Sequence, residues 1–247
     1  MDQGDRILPG GRRVAFFGGS FDPPHQGHLA IARAARDGFA LDAVLFAPVG
    51  AQPLKPEGPV ARFEDRVAMT RLAIDGEAGF SVSRIDAPRP AGERLIPNYS
   101  IDTLQKLHAD LDPGCTLYCL MGADSFLGLR QWHRAAEIPF VAQLIVASRP
   151  GQPLEDLSAA VPKGLALERA SEEDRTSAGI EVRAFNLTNS AGARTPFFVL
   201  PGLDVPVSAT EIRASIRSGR AGANAEAQGQ VSAAVDRYIR EHDLYRE

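Results

Sequence analysis

The segment Gly18-Gly19-Ser20-Phe21-Asp22-Pro23-Pro24-His25-Gln26-Gly27-His28 gathers residue types suited to holding a polyphosphate. Gly18 and Gly19 have no side chain and let a ligand approach the backbone closely. Gly27 and His28 stand where a helix is expected to begin. Free N–H groups and the positive end of the helix dipole attract phosphate there. His25 and His28, three residues apart, can turn toward one ligand, and imidazoles donate hydrogen bonds to phosphate oxygens, more strongly when protonated. The residues alone also suit a proline-rich turn whose histidines merely cap a helix, or a zinc site whose third ligand is not nearby in sequence. No Gly-Lys-Ser/Thr closes the segment, so it is not a Walker P-loop, and it does not match Gly-x-Gly-x-x-Gly.

A second candidate stands near the other end, Val207-Ser208-Ala209-Thr210-Glu211-Ile212-Arg213. Ser208 or Thr210 could cap a following helix, leaving Arg213 in solvent. Alternatively this is a second helix start aimed at phosphate, with Arg213 as a fixed cation.

The first segment resembles the signature of the nucleotidyltransferases related to nicotinate mononucleotide adenylyltransferase. The second is similar to that family's Ile-Ser-x-Thr-x-Ile-Arg, with Val207 in place of Ile. The resemblance runs from about Val14 to Tyr245, and two motifs in the family's order make it specific. It implies that His25 and His28 touch the triphosphate and stabilise charge on it during transfer, and that Arg213 joins them in the catalytic set. It also implies that Gly18, Gly19, Ser20, Phe21 and Gly27 line the nucleotide cleft, with Ser208 and Thr210 on its far side. The implied fold is α/β and Rossmann-like, a mostly parallel twisted sheet with helices on both faces.

Three more segments resemble the nicotinate branch of that family. Pro97-Asn98-Tyr99-Ser100-Ile101-Asp102-Thr103-Leu104 is similar to Pro-Ser-Tyr-Thr-x-x-Thr-Leu, in which the backbone at the Ser100 position meets the nicotinate carboxylate. Gly122-Ala123-Asp124-Ser125 is similar to Gly-x-Asp-Ser beside the nucleotide sugar, although Asp124 could equally cap a helix. Trp132, the single tryptophan, matches a residue that stacks on the pyridine ring, where an aromatic pair is worth roughly 0.5–1.5 kcal/mol beyond burial; as a residue alone it could equally be core. The acceptor set is therefore Lys55, Tyr99, Ser100 and Trp132. One segment departs from the pattern. Pro48-Val49-Gly50-Ala51-Gln52-Pro53-Leu54-Lys55 keeps Lys55 but has Leu54 where the family often has His, so the acceptor phosphate rests on Lys55 with other groups such as Arg62 or Arg149. The pantetheine-phosphate branch usually has Thr at the position of His25, and no Lys-Met-Ser-Lys-Ser-type loop of a class I aminoacyl-tRNA synthetase is found.

Alternating elements must carry these loops. Val14–Phe17, Ala43–Ala47 closed by Pro48, Phe80–Val82, Cys115–Met121, Val141–Ala147 and Phe197–Leu200 read as short apolar strands. Leu29–Arg36, ended by Gly38, Phe63–Ile74, Ser100–His108, Ser125–Arg130, Trp132–Glu137 and the stretch from Val231 to Ile239 read as helices. Strands alternating with helices imply a parallel sheet covered on both faces. Residues 151–195, rich in Ala, Ser, Glu and Gly, read as a surface insertion. Residues 1–12 read as a loose leader and 221–230 as a Gly/Ala loop, within one nucleotidyltransferase domain spanning 1–247.

The chain has 247 residues, 44% hydrophobic and 23% charged, with net charge −4. That size buries a substantial core, and the charge excludes a broad nucleic-acid surface. Met1–Arg6 has no apolar run of a signal peptide and no stretch is long enough to span a membrane. Cys115 and Cys119, four apart on a strand, read as two core thiols, which suits a reducing cytoplasm. The expected reaction transfers AMP from ATP to nicotinate mononucleotide. A phosphate acceptor is already largely ionised at neutral pH, its second pKa being about 6. It needs no general base, and no Ser-His-Asp or paired-carboxylate arrangement is evident. The resemblance and the chemistry imply Mg²⁺ travelling with ATP, bound by substrate oxygens and water rather than by a protein ligand cluster. The expected partners are ATP and nicotinate mononucleotide, with no nucleic acid and no membrane; a homo-oligomer stays open. The competing readings are transfer to nicotinamide mononucleotide or another phosphate monoester, and a non-catalytic nucleotide-binding protein on the same fold.

Overall fold

A computed structural model of the chain describes residues 13–54, 57–92, 94–148, 154–170, 175–203, 207–218 and 229–246. The expected leader, Lys55, Arg149 and all but the last two residues of the Gly/Ala loop lie outside the described residues.

The chain opens with β1 (Arg13–Gly19), α1 (Gln26–Phe39), β2 (Ala43–Pro48), α2 (Phe63–Ala73) and β3 (Phe80–Val82), two successive β-α-β units. A short hairpin of β4 (Arg89–Ala91) and β5 (Arg94–Ile96) precedes α3 (Ser100–Asp110) and β6 (Thr116–Gly122). Next come α4 (Ala123–Leu127), a 3-10 turn at Leu129–Gln131, α5 (Ile138–Val141) and β7 (Gln143–Ala147). The remaining elements are α6 (Leu154–Ala160), β8 (Leu165–Arg169), β9 (Arg175–Ser177), β10 (Ile180–Asn189), β11 (Arg194–Leu200), α7 (Ala209–Arg217) and α8 (Ala233–Glu241).

The main sheet runs β3-β2-β1-β6-β7-β11-β10-β8, with β9 paired to β10. Its first six strands are parallel, and β10 pairs antiparallel with β11, β8 and β9. A parallel strand covered on both faces must be apolar throughout, and β2 is buried at every residue. One face packs Phe16, Leu45, Met121 and Val146 under Ile101 and Leu104 of α3 and Phe126 of α4. The other packs Phe17, Val44, Phe46 and Leu120 under Leu29, Ala32 and Phe39 of α1. Each such side chain contributes roughly 1.5–3 kcal/mol when fully buried. A third cluster joins α2 to α7 and α8 through Met69, Ile212, Val235 and Ile239.

From β1 the chain moves outward to β2 and β3, then returns to the opposite side of β1 as β6. The strand order therefore reverses between β1 and β6. In open α/β sheets ligands bind beyond the carboxyl ends of the strands at such a point. The Gly18–His28 loop leaves β1 there, and Gly122 leaves β6 there.

Several sequence expectations change. The described part of 151–195 is no surface insertion: β8, β9 and β10 belong to the main sheet, β10 as an inner strand with Val182 and Leu187 fully buried. Gly38 does not end α1. It lies inside the helix, where a Cβ would come within 3.3 Å of Ile180 on β10, and Ala40, in the left-handed region at φ 48°, is the C-cap. Pro48 is the last residue of β2 rather than a stop beyond it. Val141 belongs to α5, so β7 starts at Gln143. Residues 132–137 form turns, not a helix, with Arg134 at φ 51° breaking the helical path. Cys119 is buried, but Cys115 precedes β6 and is only half-buried.

Candidate active site

His25 is the N-cap of α1, and His28 sits in its first turn. The backbone N–H of His25 donates to His28 Nδ1 at 3.2 Å. That acceptor role leaves the proton of a neutral His28 ring on Nε2, which becomes a fixed donor. The two rings lie 3.7 Å apart, tilted by 30°. Behind them the Phe21 ring meets His28 edge-on at 4.9 Å and Phe17 at 5.6 Å. His25 Nδ1 is buried with no hydrogen-bond partner among the described residues. Such an atom suits a ligand oxygen. The first turn of α1 carries no acidic residue, so nothing in it offsets the positive end of the dipole.

The backbone is less open than the sequence suggests. Gln26 N–H donates to the Gln230 carbonyl at 2.8 Å, and His28 N–H to the His25 carbonyl at 2.9 Å. Among the first three helical amides, Gly27's has no acceptor among the described residues.

Both histidines are held neutral. Burial lowers His25 to about 4, and burial together with the neighbouring His25 takes His28 well below its ordinary 6.5. A histidine depressed in the folded state contributes stability above pH 6.5 that is lost as pH falls toward about 4. A bound triphosphate is expected to have the opposite effect on His25, whose Nδ1 has no partner among the described residues, since it favours the charged ring. ATP binding is therefore expected to take up protons and to tighten as pH falls from the ordinary 6.5 toward the free ring's value of about 4. Titration calorimetry in two buffers of different ionisation enthalpy reads this directly. Equal heats in both buffers would contradict it.

The remaining loop residues have separate duties. Gly18 is exposed and Gly19 half-buried; a Cβ on Gly19 would lie 3.1 Å from the Phe21 ring. Phe21 itself is 1% exposed, so what it offers a ligand is backbone, held at φ 48°. Ser20 Oγ donates to Gln52 Oε1 at 3.1 Å. Asp22 is buried and accepts from the N–H groups of Val60 and Ala61, and from the Tyr245 hydroxyl at 2.7 Å. Arg213 Nη1 donates to the Asp22 carbonyl at 2.6 Å and stands 3.9 Å from its carboxylate, while Nη2 donates to Thr210 Oγ1. Ser208 is the N-cap position of α7, with no capping bond from its side chain. Thus the second motif reaches the first through Arg213, and Thr210 steadies that arginine.

Gly122 is the N-cap position of α4, so Asp124 is an exposed first-turn residue, not the cap.

The residues expected on the acceptor side come from α3 and the turn after the 3-10 segment. Tyr99 caps α3 by position and Ser100 opens it, both half-buried. The Tyr99 ring lies 4.4 Å from His133, the neighbour of Trp132, so the two segments meet. Trp132 is half-buried against the core, with part of its surface left to solvent.

Sequence reasoning missed the residues that lock the intervening loop. Asn98 is buried; its Oδ1 accepts from Ala51 N–H and its own N–H donates to the Ala51 carbonyl. Gly50 N–H donates to the Asp86 carbonyl, and Asp86 accepts from the Thr103 hydroxyl on α3. Burial pushes Asp86 up to about 6 against the pull of Thr103 and Arg89. Arg66 of α2, 1% exposed, donates to the carbonyls of Ser20, Val49 and Ala61. Its signal was an arginine on the same stripe of α2 as Met69, Thr70 and Ala73, all buried. The turn also explains Gly50: a Cβ there would lie 2.5 Å from Pro88 N. Gly50→Ala is expected to displace the loop, cost about 1–3 kcal/mol and raise KM for the acceptor more than for ATP. Unchanged KM for both in steady-state kinetics would refute the assignment.

Among the described residues, no three His, Cys, Asp or Glu side chains converge on a metal position. Fold and site define a nucleotidyltransferase: a phosphate-type loop at the reversal of a Rossmann-like sheet, answered by a cation from a late helix. The cytidylyltransferase-like family profile matches residues 16–215. Curated relatives include a probable nicotinate-nucleotide adenylyltransferase of Gloeobacter violaceus, 38% identical over 95% of this chain and 97% of its own length. One of Thermus thermophilus bearing the same name is 34% identical over 95% of this chain and 100% of its own. A Plasmodium falciparum nicotinic acid mononucleotide adenylyltransferase solved with NaAD superposes with a TM-score of 0.65 at 14% identity, covering 95% of this chain and 97% of that one, a likeness of fold. The chain belongs to the cytidylyltransferase-like family and, within it, to the nicotinate-nucleotide adenylyltransferases.

Proposed function

We infer that the Gly18–His28 loop is where AMP leaves ATP. The enzyme transfers AMP from ATP to nicotinate mononucleotide, giving nicotinate adenine dinucleotide and pyrophosphate in NAD biosynthesis. An acceptor phosphate oxygen attacks the α-phosphorus of ATP. The new P–O bond forms as the bond between the α-phosphorus and the bridging oxygen breaks, and pyrophosphate carries that electron pair away. The acceptor is already largely ionised, so no protein group need remove a proton. What the protein supplies is alignment and charge compensation.

The observation that carries this is the fixed His28 ring, whose Nδ1 is occupied by His25 N–H so that Nε2 faces the task as a donor. His25, His28 and Arg213 bear on the phosphates. Gly18, Gly19, Ser20, Phe21 and Gly27 form the cradle, Gly122 and Asp124 stand beside the sugar, and Ser208 and Thr210 carry Arg213. Tyr99, Ser100 and Trp132 receive the pyridine ring, and Lys55 the acceptor phosphate. Mg²⁺ neutralises charge on the pyrophosphate when bound. The hard oxygens of ATP and water suit it. No helix among the described residues is long and apolar enough to cross a membrane. The proposed compartment is the cytoplasm, where the free thiols of Cys115 and Cys119 stay reduced.

The test is pyrophosphate release from ATP and Mg²⁺ with nicotinate mononucleotide, nicotinamide mononucleotide and phosphopantetheine in parallel. Fast release with the first alone is expected. Equal release with the first two would remove the acid selectivity assigned to Ser100 and Trp132, and release with none would overturn the reading.

A further inference from the structure

The last described segment of the chain closes on the phosphate loop at two points. Gln230 caps the first amide of α1 through its carbonyl. Tyr245, 5% exposed, sends its hydroxyl to Asp22 Oδ1 at 2.7 Å. Asp22 lies between the glycines and the histidines of that loop, and it is fully engaged. Val60 N–H donates to Oδ2 at 2.7 Å and Ala61 N–H to Oδ1 at 3.1 Å. The carbonyl of the same residue takes Arg213 Nη1 at 2.6 Å. The orientation of the Asp22 peptide therefore sets where the Arg213 guanidinium sits, and Tyr245 is the side-chain donor that fixes the Asp22 carboxylate.

We propose that Tyr245 is a positioning residue for the nucleotide, acting through Asp22 on Arg213. In this reading the phenol, buried among protein groups, meets neither substrate nor reacting atoms. Its hydroxyl holds one oxygen of a buried carboxylate, and that carboxylate holds the loop from which Arg213 takes its bearing. The hydroxyl also lies 4.0 Å from Met69 Sδ, while the residue belongs to the buried cluster with Ile212, Val235 and Ile239, which holds the ring without the hydroxyl. Removal of the hydroxyl alone should thus leave the packing in place while loosening the nucleotide site. A short charge-assisted bond to a buried acceptor is among the stronger hydrogen bonds, and its loss leaves the acceptor underserved.

This rests on the reading of the loop as the ATP site, and the experiment separates the two. Binding of α,β-methylene-ATP without acceptor is measured by calorimetry for wild type, Tyr245→Phe, Arg213→Lys and the double variant, alongside thermal unfolding. Turnover with nicotinate mononucleotide is measured separately. Tyr245→Phe is expected to weaken the analogue about tenfold, equal to about 1.4 kcal/mol. KM for nicotinate mononucleotide should stay within about twofold, since that interaction is not made through Arg213. On the Arg213→Lys background, where the planar fork is gone, the Tyr245→Phe penalty should largely vanish, as expected of coupled residues. A Tyr245→Phe protein that unfolds at a lower temperature yet binds the analogue as wild type does would reduce Tyr245 to packing and overturn the proposal. An equal penalty on both backgrounds would overturn the route through Arg213. Wild type that binds the analogue but releases no pyrophosphate with the acceptor would sink the functional reading and leave the Tyr245 result standing on binding alone.

Discussion

His28→Ala is expected to lower kcat by about 10²–10³ while the protein stays folded, the size found when one preorganised donor to a developing charge is removed. The neutral ring has its Nδ1 committed to His25 N–H, so the remaining nitrogen is a donor in a fixed direction. Deleting it also removes the first-turn acceptor of α1, which costs about 0.5–2 kcal/mol as other N-terminal caps do. The loss should appear in kcat more than in KM for ATP, the mark of an interaction strengthened in the transition state. His28→Gln, whose amide nitrogen reaches about as far as Nε2 and can donate there, should recover part of the rate. Quench-flow measurement of a single turnover separates chemistry from product release. A folded His28→Ala protein with near-normal turnover would remove His28 from the chemistry.

Arg66→Met is expected to be the most destabilising single change in the site. The side chain is 1% exposed and donates to three carbonyls, at 2.8 Å to Ser20 and Val49 and 3.2 Å to Ala61. Burial lowers its pKa, and the nearby Asp22 and Tyr245 raise it in part. Removing the guanidinium leaves three carbonyls without their donor, at about 1–3 kcal/mol for each that stays buried and unsatisfied, so a loss of several kcal/mol is expected. At about 2–4 °C per kcal/mol for a domain of this size, the midpoint should fall by ten degrees or so. Arg66→Lys should recover only part of that, because one ammonium cannot serve three divergent carbonyls as a fork does. Urea unfolding of the variants decides it. A change within about 1 kcal/mol of wild type would show that the three carbonyls find other donors.

The two effects differ in how visible they were in the sequence. The histidine loop could be read because its chemistry is local: glycines, histidines and a helix start lie within a few residues of one another, after an apolar run that stops sharply. The same holds for β1, β2, β6 and β7, whose unbroken apolar runs reflect burial on both faces. Arg66 was hidden because its three acceptors come from two separate connections, Ser20 after β1 and Val49 and Ala61 between β2 and α2. Gly38 misled because its reason is steric, the approach of Ile180 from a strand far along the chain. β10 was missed for a related cause. Its burial alternates irregularly, since one strand serves both faces of an antiparallel extension, so no clean period marks it. The tie between Tyr99 and His133 likewise joins two segments whose local patterns show only a helix start and a turn.

The bond between Tyr245 and Asp22 spans 223 positions of sequence. On a ribosome adding roughly 5–20 residues per second, the phosphate loop waits about 10–45 s for its last fastening. A nascent chain that has already paired β1 with β2 still lacks the hydroxyl that fixes Asp22. On the proposed role of Tyr245, affinity for the nucleotide develops late in synthesis, and a chain interrupted before Tyr245 would carry both motifs without the fastening that aligns them.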